Sequence, residues 1–282
     1  MPQTINTNLA SLNAQRNLST SQLSLAVSMQ RLSSGMRVNS AKDDAAGLAI
    51  AERMSSQVRG MNVAIRNAND GISMAQTAEG AMGKVADTLQ RMRELAVQSA
   101  NGTNSSSDKA SLNQEFKELG REIQRVLGGT TFNGSNILGA SAGAFLIQVG
   151  ANTTVNDTIT VTTTSLTTNA DIVAVTTAGA SIGGAADATA INAVINAVDT
   201  AIDTINTQRA NMGAAQSRFE SVIGNLQIAV ENQSAARSRI MDTDFAAETA
   251  NLSRAQILQQ AGNAMVAQAN ALPQQVLKLL QG

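Results

Sequence analysis

Apolar residues recur at alternating steps of four and three positions along the C-terminal half of the chain. The pattern runs from Ile191 to Val230, and all but two of its positions are apolar. An average spacing of about 3.5 residues is typical of a coiled-coil seam rather than of an isolated surface helix. Because one helix cannot bury such a stripe against itself, the pattern predicts a helix that packs lengthwise along other helices. Its members are Ile191, Ile195, Val198, Ile202, Ile205, Arg209, Met212, Gln216, Phe219, Ile223, Leu226 and Val230.

The same periodicity, read together with capping and breaking residues, predicts five helices and a non-helical segment. At about 1.5 Å per residue the second and fourth helices would each be roughly 75–80 Å long, so they can pair antiparallel with the third alongside. Three short stretches of alternating or β-branched residues are predicted strands. The expected fold is therefore mainly α, a long antiparallel coiled-coil helical bundle with a small β-rich insert. The helices cover approximately 5–34, 45–100, 106–128, 189–238 and 245–280, and the strands 145–149, 155–163 and 172–175.

Each terminal helix carries an apolar stripe, but its other faces are mostly Gln, Asn, Ser and Ala. After Glu248 only Arg254 and Lys278 carry a side-chain charge, whereas solvent-facing helices usually display Lys and Glu. We expect these helices to pack beside other copies of the chain, to be poorly ordered alone and to pair on assembly. The predicted assembly-interface residues are Leu18, Leu25, Met29, Leu32, Leu258, Met265, Leu272, Val276 and Leu279.

The composition argues against catalysis and against nucleic-acid binding. The 282 residues include no Cys, His, Trp or Tyr, and the formal net charge is −1. Disulfides, thiolate sites, the commonest metal ligand and the usual general base are therefore missing. The acid pairs Asp43–Asp44 and Asp242/Asp244 could serve a metal or acid–base chemistry, but helix capping is the favoured interpretation. We predict no enzymatic activity, no metal site and no cofactor.

The chain shows no ordinary signal for crossing or entering a membrane. No apolar run reaches the length of about 18 residues that a transmembrane helix requires. Residues 1–6 have neither the basic nor the apolar segment of a secretory signal peptide. An exported protein with this N-terminus would need a different export machine.

Several stretches resemble bacterial flagellin. The longest is RLSSGMRVNSAKDDAAGLAI at residues 31–50, and INTN at 5–8 followed by SLNAQ at 11–15 is similar to the start of that family. TTFNG at 130–134 and ALPQQVLKLL at 271–280 also fit. The resemblance covers about residues 1–150 and 187–282, and it leaves the middle of the chain as the variable region.

The resemblance implies a structural subunit that polymerises into a hollow helical filament used for swimming. Residues 1–44 and 240–282 would form an inner tube, 45–139 and 187–239 the surrounding rod layer, and 140–186 a short surface insert. The subunit would leave the cell through the flagellar type III apparatus without a cleaved signal peptide. The implied partners are other copies of the chain, an export chaperone, and the cap and hook-junction proteins.

The resemblance also implies recognition of the monomer by the animal Toll-like receptor that senses flagellin. The segment LQRMRELAV at residues 89–97 matches the recognised segment of many flagellins. Arg91, Leu95 and Glu115 occupy the corresponding positions. The simpler interpretation is that the charged residues of this segment form the polar face of a packed helix.

Three other functions are weighed against a filament subunit. A hook-junction protein shares the terminal helices but usually has a larger central region. A coiled-coil signalling or adhesion rod would explain the seams but would not need uncharged, apolar-striped helices at both ends. An enzyme is the least supported, because no set of residues converges on a reactive site.

Overall fold

The computed structural model describes residues 7–177, 179–184 and 186–280, and for 272–280 it describes the backbone alone. The helices are α1 (Leu9–Ser34), α2 (Ala45–Ala100), α3 (Ser106–Gly129), α4 (Ala170–Thr176), α5 (Ala188–Met241) and α6 (Phe245–Leu280). The strands are β1 (Thr131–Phe132), β2 (Ser135–Asn136), β3 (Ala144–Gln148) and β4 (Thr158–Thr162), and a 3-10 turn covers Val155–Asp157.

The chain divides into two compact units. One contains residues 1–56 and 232–282, and the other contains residues 57–231. Helices α2 and α5 contribute residues to both units, and we refer to the first as the terminal unit and the second as the central unit. The expected fold class, a helical bundle with a small β-rich insert, is confirmed.

In the central unit, α5 lies antiparallel to α2. The Nε2 atom of Gln216 donates to Glu79 at 2.9 Å, and further along Arg93 pairs with Asp199 at 2.6 Å. Residue numbers rise along α2 as they fall along α5, which fixes the direction. Each α5 seam position is buried or half-buried, including the two polar ones. The coiled-coil spacing therefore identified the buried face correctly.

The core of the central unit is continuous from α2 and α3 to α5 and the β segments. Phe116, Phe219, Met82 and Leu89 are among its largest fully buried side chains. Small residues of α2 alternate with them along the seam and are just as deeply buried, which lets the helices pack closely.

The β segments form two separate antiparallel pairs, β1 with β2 and β3 with β4. In the larger pair Phe145 lies opposite Val161 and Ile147 opposite Ile159. Ile159 and Val161 are buried while Thr160, between them, is exposed, as expected for a strand with one face on a core. The predicted strand at 145–149 is therefore observed with a shift of one residue.

The strand predicted at 172–175 is wrong, because this segment forms helix α4. The side chain of Asn169 caps its first turn by accepting from the Asp171 amide at 2.9 Å. Ile172 and Val175, three residues apart, then share one buried face. The strand propensity of β-branched side chains is weak and depends on context. Here the burial of Ile172 and Val175 on one helical face favours the helix instead.

The strand predicted at 155–163 begins three residues later. Asp157 accepts from both the amide and the hydroxyl of Thr154, so residues 155–157 close into a 3-10 turn instead of extending. A side-chain-to-backbone bond of this kind competes directly with strand pairing.

The segment before α5 is held by two polar side chains. The hydroxyl of Ser99, near the end of α2, donates to the carbonyl of Ile182 inside the core. Asn113 of α3 accepts from the Ile182 amide at 3.0 Å and from the Ser181 hydroxyl at 3.2 Å. The Ile182 side chain is fully buried, so both the apolar and the polar groups of this short segment position the start of α5.

Within the described ranges, no helix is both long enough and apolar enough to cross a membrane.

Candidate assembly surface

The terminal unit is built on two helices with well-defined ends. The side chain of Asn8 accepts from the Ser11 amide and caps α1, which ends at Gly35 with φ +69°. This left-handed conformation is the common helix stop that glycine adopts without strain. At the other helix, the Asp244 carboxylate accepts from the amides of Ala246 and Ala247 and caps α6.

Helix α1 pairs antiparallel with the part of α6 that lies between Glu248 and Ala269. At one end the Nδ2 atom of Asn8 donates to the carbonyl of Ala269 at 2.8 Å. At the other end Arg31 lies 3.7 Å from Glu248, which is only 6% exposed. The arginine is in the last turn of α1 and the glutamate in the first turn of α6, so each charge is also favoured by its helix dipole.

A backbone clamp joins the two chain segments that lead into these helices. Met36 and Asp242 form an isolated antiparallel bridge, and the Arg37 amide donates to the carbonyl of Met241 at 2.6 Å. Val38, Ala51 and Met241 bury a small apolar cluster beside it. These contacts lie just after the end of α1 and just before the start of α6, so they fix the register of the α1–α6 pair at that end.

The face that α1 and α6 turn towards each other contains mostly small or polar residues. Gly262 leaves room for Leu18 of α1, because a β-carbon at position 262 would lie 3.1 Å from Leu18 Cδ1. The inner positions again alternate steps of three and four. They are Ser11, Ala14, Leu18, Ser21, Leu25, Ser28 and Leu32 on α1, and Glu248, Leu252, Ala255, Gln259, Gly262, Val266 and Ala269 on α6.

Larger apolar side chains lie on the outer faces of the same two helices. Apart from Phe245 at the start of α6, the exposed ones are Leu9, Leu12, Leu23, Val27 and Met29 on α1, and Ile257, Leu258 and Met265 on α6. Exposed large apolar side chains in this number on two paired helices are typical of association surfaces. We call this set of residues the outer stripe.

The sequence-predicted interface residues divide between the two faces. Leu18, Leu25 and Leu32 are half-buried in the contact between α1 and α6. Met29, Leu258 and Met265 belong to the outer stripe and are 57%, 50% and 61% exposed. The side chains of Leu272, Val276 and Leu279 lie outside the described residues.

Five members of the outer stripe were not singled out from the sequence. Leu9 and Leu12 are three residues apart and Leu23 and Val27 four, so each pair shares a face of α1. Arg16, Ser19 and Thr20 lie between the two pairs on that face, so the apolar periodicity is interrupted and gives no continuous stripe in the sequence.

The acid pairs that could have served a metal act as caps and turn-stabilising groups. Asp44 accepts from the Gly47 amide at 2.7 Å and begins α2. The Asp43 carboxylate accepts from the amides of Ser40 and Asn39. These two hydrogen bonds lower the pKa of the Asp43 carboxyl below its usual value, and the bond from Ser40 has the larger effect. Among the described residues, no cluster of three or more acids is arranged to hold a metal ion.

The predicted receptor residues lie in the central unit, where Arg91 of α2 reaches α3. It donates to Glu94 at 2.9 Å and to Glu115 at 3.0 Å, and these two hydrogen bonds, in that order, raise the pKa of its guanidinium. Arg91 and Glu115 are about half exposed, and Glu94 is exposed over two-thirds of its side chain. Leu95 is 1% exposed and belongs to the core, so it offers no contact surface in this structure.

Comparisons with known proteins agree with this architecture. The family described as "Bacterial flagellin N-terminal helical region" matches residues 5–142, and "Bacterial flagellin C-terminal helical region" matches residues 195–280. A flagellin from Halalkalibacterium halodurans is 46% identical over 277 residues, which cover 98% of this chain and 99% of that one. The flagellar filament 33 kDa core protein of Treponema phagedenis is 41% identical over 287 residues, with 98% and 99% coverage.

A solved structure shows the same fold at low sequence identity. It is described as a flagellar hook-associated protein from Vibrio parahaemolyticus. The matched region covers 71% of this chain and the whole of the Vibrio chain. The TM-score is 0.58 and the identity 13%, so the likeness extends to the fold alone.

Paired, weakly charged terminal helices with exposed apolar side chains are typical of a structural subunit of a larger assembly. The sequence matches identify the assembly, since the chain belongs to the bacterial flagellin family. It is a subunit of the flagellar filament and a structural protein rather than an enzyme.

Proposed function

We propose that the subunit polymerises through the outer stripe of the α1–α6 pair. In this arrangement residues 1–44 and 240–282 form the inner tube and 45–139 with 187–239 the layer around it. Residues 140–186 lie at the outer surface. The observation that carries the proposal is the exposure of Met29, Leu258 and Met265 on helices that have almost no charged side chains.

The energy available at this surface is sufficient for association. Fully burying a Leu or Met side chain contributes about 1.5–3 kcal/mol, so covering a half-exposed one contributes roughly 1 kcal/mol. Every copy in a filament contacts several others, and the contribution of each side chain is repeated throughout the polymer. Charged side chains would have to be desolvated at such a contact, and their scarcity here removes that cost.

Seeded polymerisation of a double variant tests the proposal. Leu258→Gln with Met265→Gln keeps the helix propensity of α6 but removes two outer apolar groups. We expect slow or absent filament growth by light scattering and electron microscopy. Leu146→Gln is the matched control, because Leu146 is 69% exposed but lies in the proposed surface insert. Growth of the double variant at the same rate as the control would contradict the proposal.

We further propose that the terminal helices serve the partners met before assembly. These are an export chaperone, the cap and the hook-junction proteins, with export through the flagellar type III route. The support is the uncharged, apolar-striped character of α1 and α6 in a flagellin-family chain. Loss of binding to a purified export chaperone in the Leu258→Gln, Met265→Gln variant would support this role, and unchanged binding would count against it.

We also propose that the free subunit is recognised by the animal Toll-like receptor for flagellin at Arg91 and Glu115. The two side chains are exposed and joined across α2 and α3, so they present one rigid charged surface. Leu95 would act only by holding α2 in place, because it is buried.

Reporter cells that carry the receptor separate the contact role from the packing role. Arg91→Ala should reduce signalling while circular dichroism stays unchanged. Arg125→Ala, which breaks a comparable exposed ion pair with Glu122 on α3, is the control and should signal normally. Undiminished signalling by Arg91→Ala would refute the proposed contact.

A further inference from the structure

The chain contains two Asn-Gly pairs with almost the same local sequence but different conformations. Asn101-Gly102 is followed by Thr103, and Asn133-Gly134 is followed by Ser135. In such pairs the glycine amide nitrogen can reach the asparagine side chain, because glycine has no β-carbon to obstruct the approach. Asn is accordingly one of the thermolabile residues of proteins.

We propose that Asn101 is a site of spontaneous deamidation in the folded subunit and that Asn133 is protected. In the reaction the Gly102 nitrogen attacks Cγ of Asn101, and a new N–Cγ bond closes a five-membered succinimide ring. The Cγ–Nδ2 bond breaks, and ammonia leaves with the proton from the Gly102 nitrogen. Water then opens the ring at either carbonyl and leaves aspartate or isoaspartate at position 101.

The conformation at Asn101 favours this attack. The residue follows the last turn of α2, is exposed, and belongs to no helix or strand. Its side-chain oxygen accepts from the Thr103 amide at 3.2 Å. That hydrogen bond holds the side-chain amide over the backbone that carries the Gly102 nitrogen, and it polarises the carbonyl that must be attacked.

The surroundings of Gly102 leave the reaction unobstructed. Its amide donates no hydrogen bond to any of the described residues, so the nucleophile need not break one. A β-carbon placed at this position would have no neighbour within 4 Å, so there is room for the ring.

The conformation at Asn133 opposes the same reaction. Asn133 and Gly134 form the two-residue turn between β1 and β2, with φ +47° and +80°. Both are left-handed, as in the hairpin turns that Asn-Gly favours. A left-handed residue has ψ of about +47°, which places the nitrogen of the next residue nearly trans to Cβ about the Cα–C bond. The Gly134 nitrogen therefore points away from the Asn133 side chain. Pairing of Phe132 with Ser135 holds the turn in this state.

Deamidation at position 101 would change the molecule locally. It introduces a negative charge at the C-terminal end of α2, where the helix dipole disfavours anions. The isoaspartyl product also lengthens the main chain by one carbon, two residues from the Ser99 contact with Ile182 that holds the start of α5. In a long-lived filament the modified fraction would rise with age.

The experiment compares the two sites within one protein. The purified full chain is incubated in mildly alkaline buffer, digested, and analysed by mass spectrometry that separates aspartyl and isoaspartyl peptides. We expect modification at position 101 to be several-fold faster than at 133 in the folded chain. In concentrated urea, where both turns are lost, the two rates should become similar. Gly102→Ala should slow the first site and leave the second unchanged.

Three results would overturn the proposal. The first is an equal or faster rate at 133 in the folded chain, and the second is no modification at 101 under conditions that modify the urea-unfolded chain. The third is a difference in rate that persists unchanged in urea, because the preference would then come from sequence rather than from conformation.

Discussion

Replacement of Gly71 by alanine is the sharpest test of packing in the central unit. Gly71 is a buried residue in the middle of α2, where a β-carbon would lie 2.7 Å from Ile147 Cδ1 and 2.8 Å from Phe219 Cζ. Gly80 lies nine residues further along the same helix, is exposed, and has no neighbour within 4 Å of that position. The same substitution therefore meets a full core at one site and solvent at the other.

The expected energies follow from two opposing effects. Alanine is favoured over glycine in a helix by roughly 0.5–1 kcal/mol, and this gain applies at both positions. Overpacking a full core costs about 1–3 kcal/mol, and it applies at Gly71 alone. The Ile147 side chain can rotate away at its end, but the Phe219 ring is fully buried and has little room to move. We expect Gly80→Ala to stabilise the chain and Gly71→Ala to be about 1–3 kcal/mol less stable than Gly80→Ala.

Urea unfolding of the two variants measures this difference directly. The chain contains no Trp or Tyr, so far-UV circular dichroism is the natural probe, with amide exchange of α2 peptides assigning the transition to the central unit. The slope against urea should be the same for both, since neither variant changes the surface exposed on unfolding. If Gly71→Ala were as stable as Gly80→Ala, the packing of Phe219 and Ile147 against α2 described above would be incorrect.

Three further predictions concern polar groups. Ser99→Ala should lower the free energy of unfolding by about 1–3 kcal/mol in a urea titration, because the buried Ile182 carbonyl loses its donor. Arg93→Ala should lower the unfolding midpoint slightly at low salt and not at high salt, because its ion pair with Asp199 is half exposed and screened. Since the pKa of Asp43 is lowered by folding, its contribution is complete above the usual carboxyl pKa of about 4 and disappears at lower pH. Asp43→Asn should therefore differ from the original chain at neutral pH and approach it in acid, as measured by urea midpoints across that range.

The long helices of the central unit could be predicted because their seams contain large apolar residues. The spacing of Ile191, Val198, Ile205, Met212 and Phe219 admits one buried face, and all five are buried. No competing stripe exists on that helix, so periodicity alone decides which face packs.

The terminal helices were harder to interpret, because both their faces contain apolar residues. Leu25 packs against α6 while Met29, one turn later, points outward. Serine and alanine occupy much of the inner face, and hydrophobicity does not reveal them as seam residues. The contact of Leu18 with the α6 backbone at Gly262 identifies the inner face, and it is known only when both helices are placed.

The residues of the proposed receptor contact show a related limit. Arg91 and Glu115 are 24 positions apart, and only the folding of α3 back along α2 brings them into contact. The burial of Leu95 likewise depends on which face of α2 the other helices cover. A motif places residues in order along the chain, but their accessibility comes from packing.

The small inner face of the α1–α6 pair has a thermodynamic consequence for how the terminal unit behaves. Ser11, Ser21, Ser28 and Gly262 bury little apolar area, so little of the free energy that orders these helices comes from their contact with each other. In the proposed filament, neighbours that cover the outer stripe supply the rest. On that proposal folding of the terminal unit and its association share one equilibrium, and by mass action the apparent stability of this unit rises with subunit concentration. The melting temperature of the terminal helices should then depend on the concentration at which it is measured.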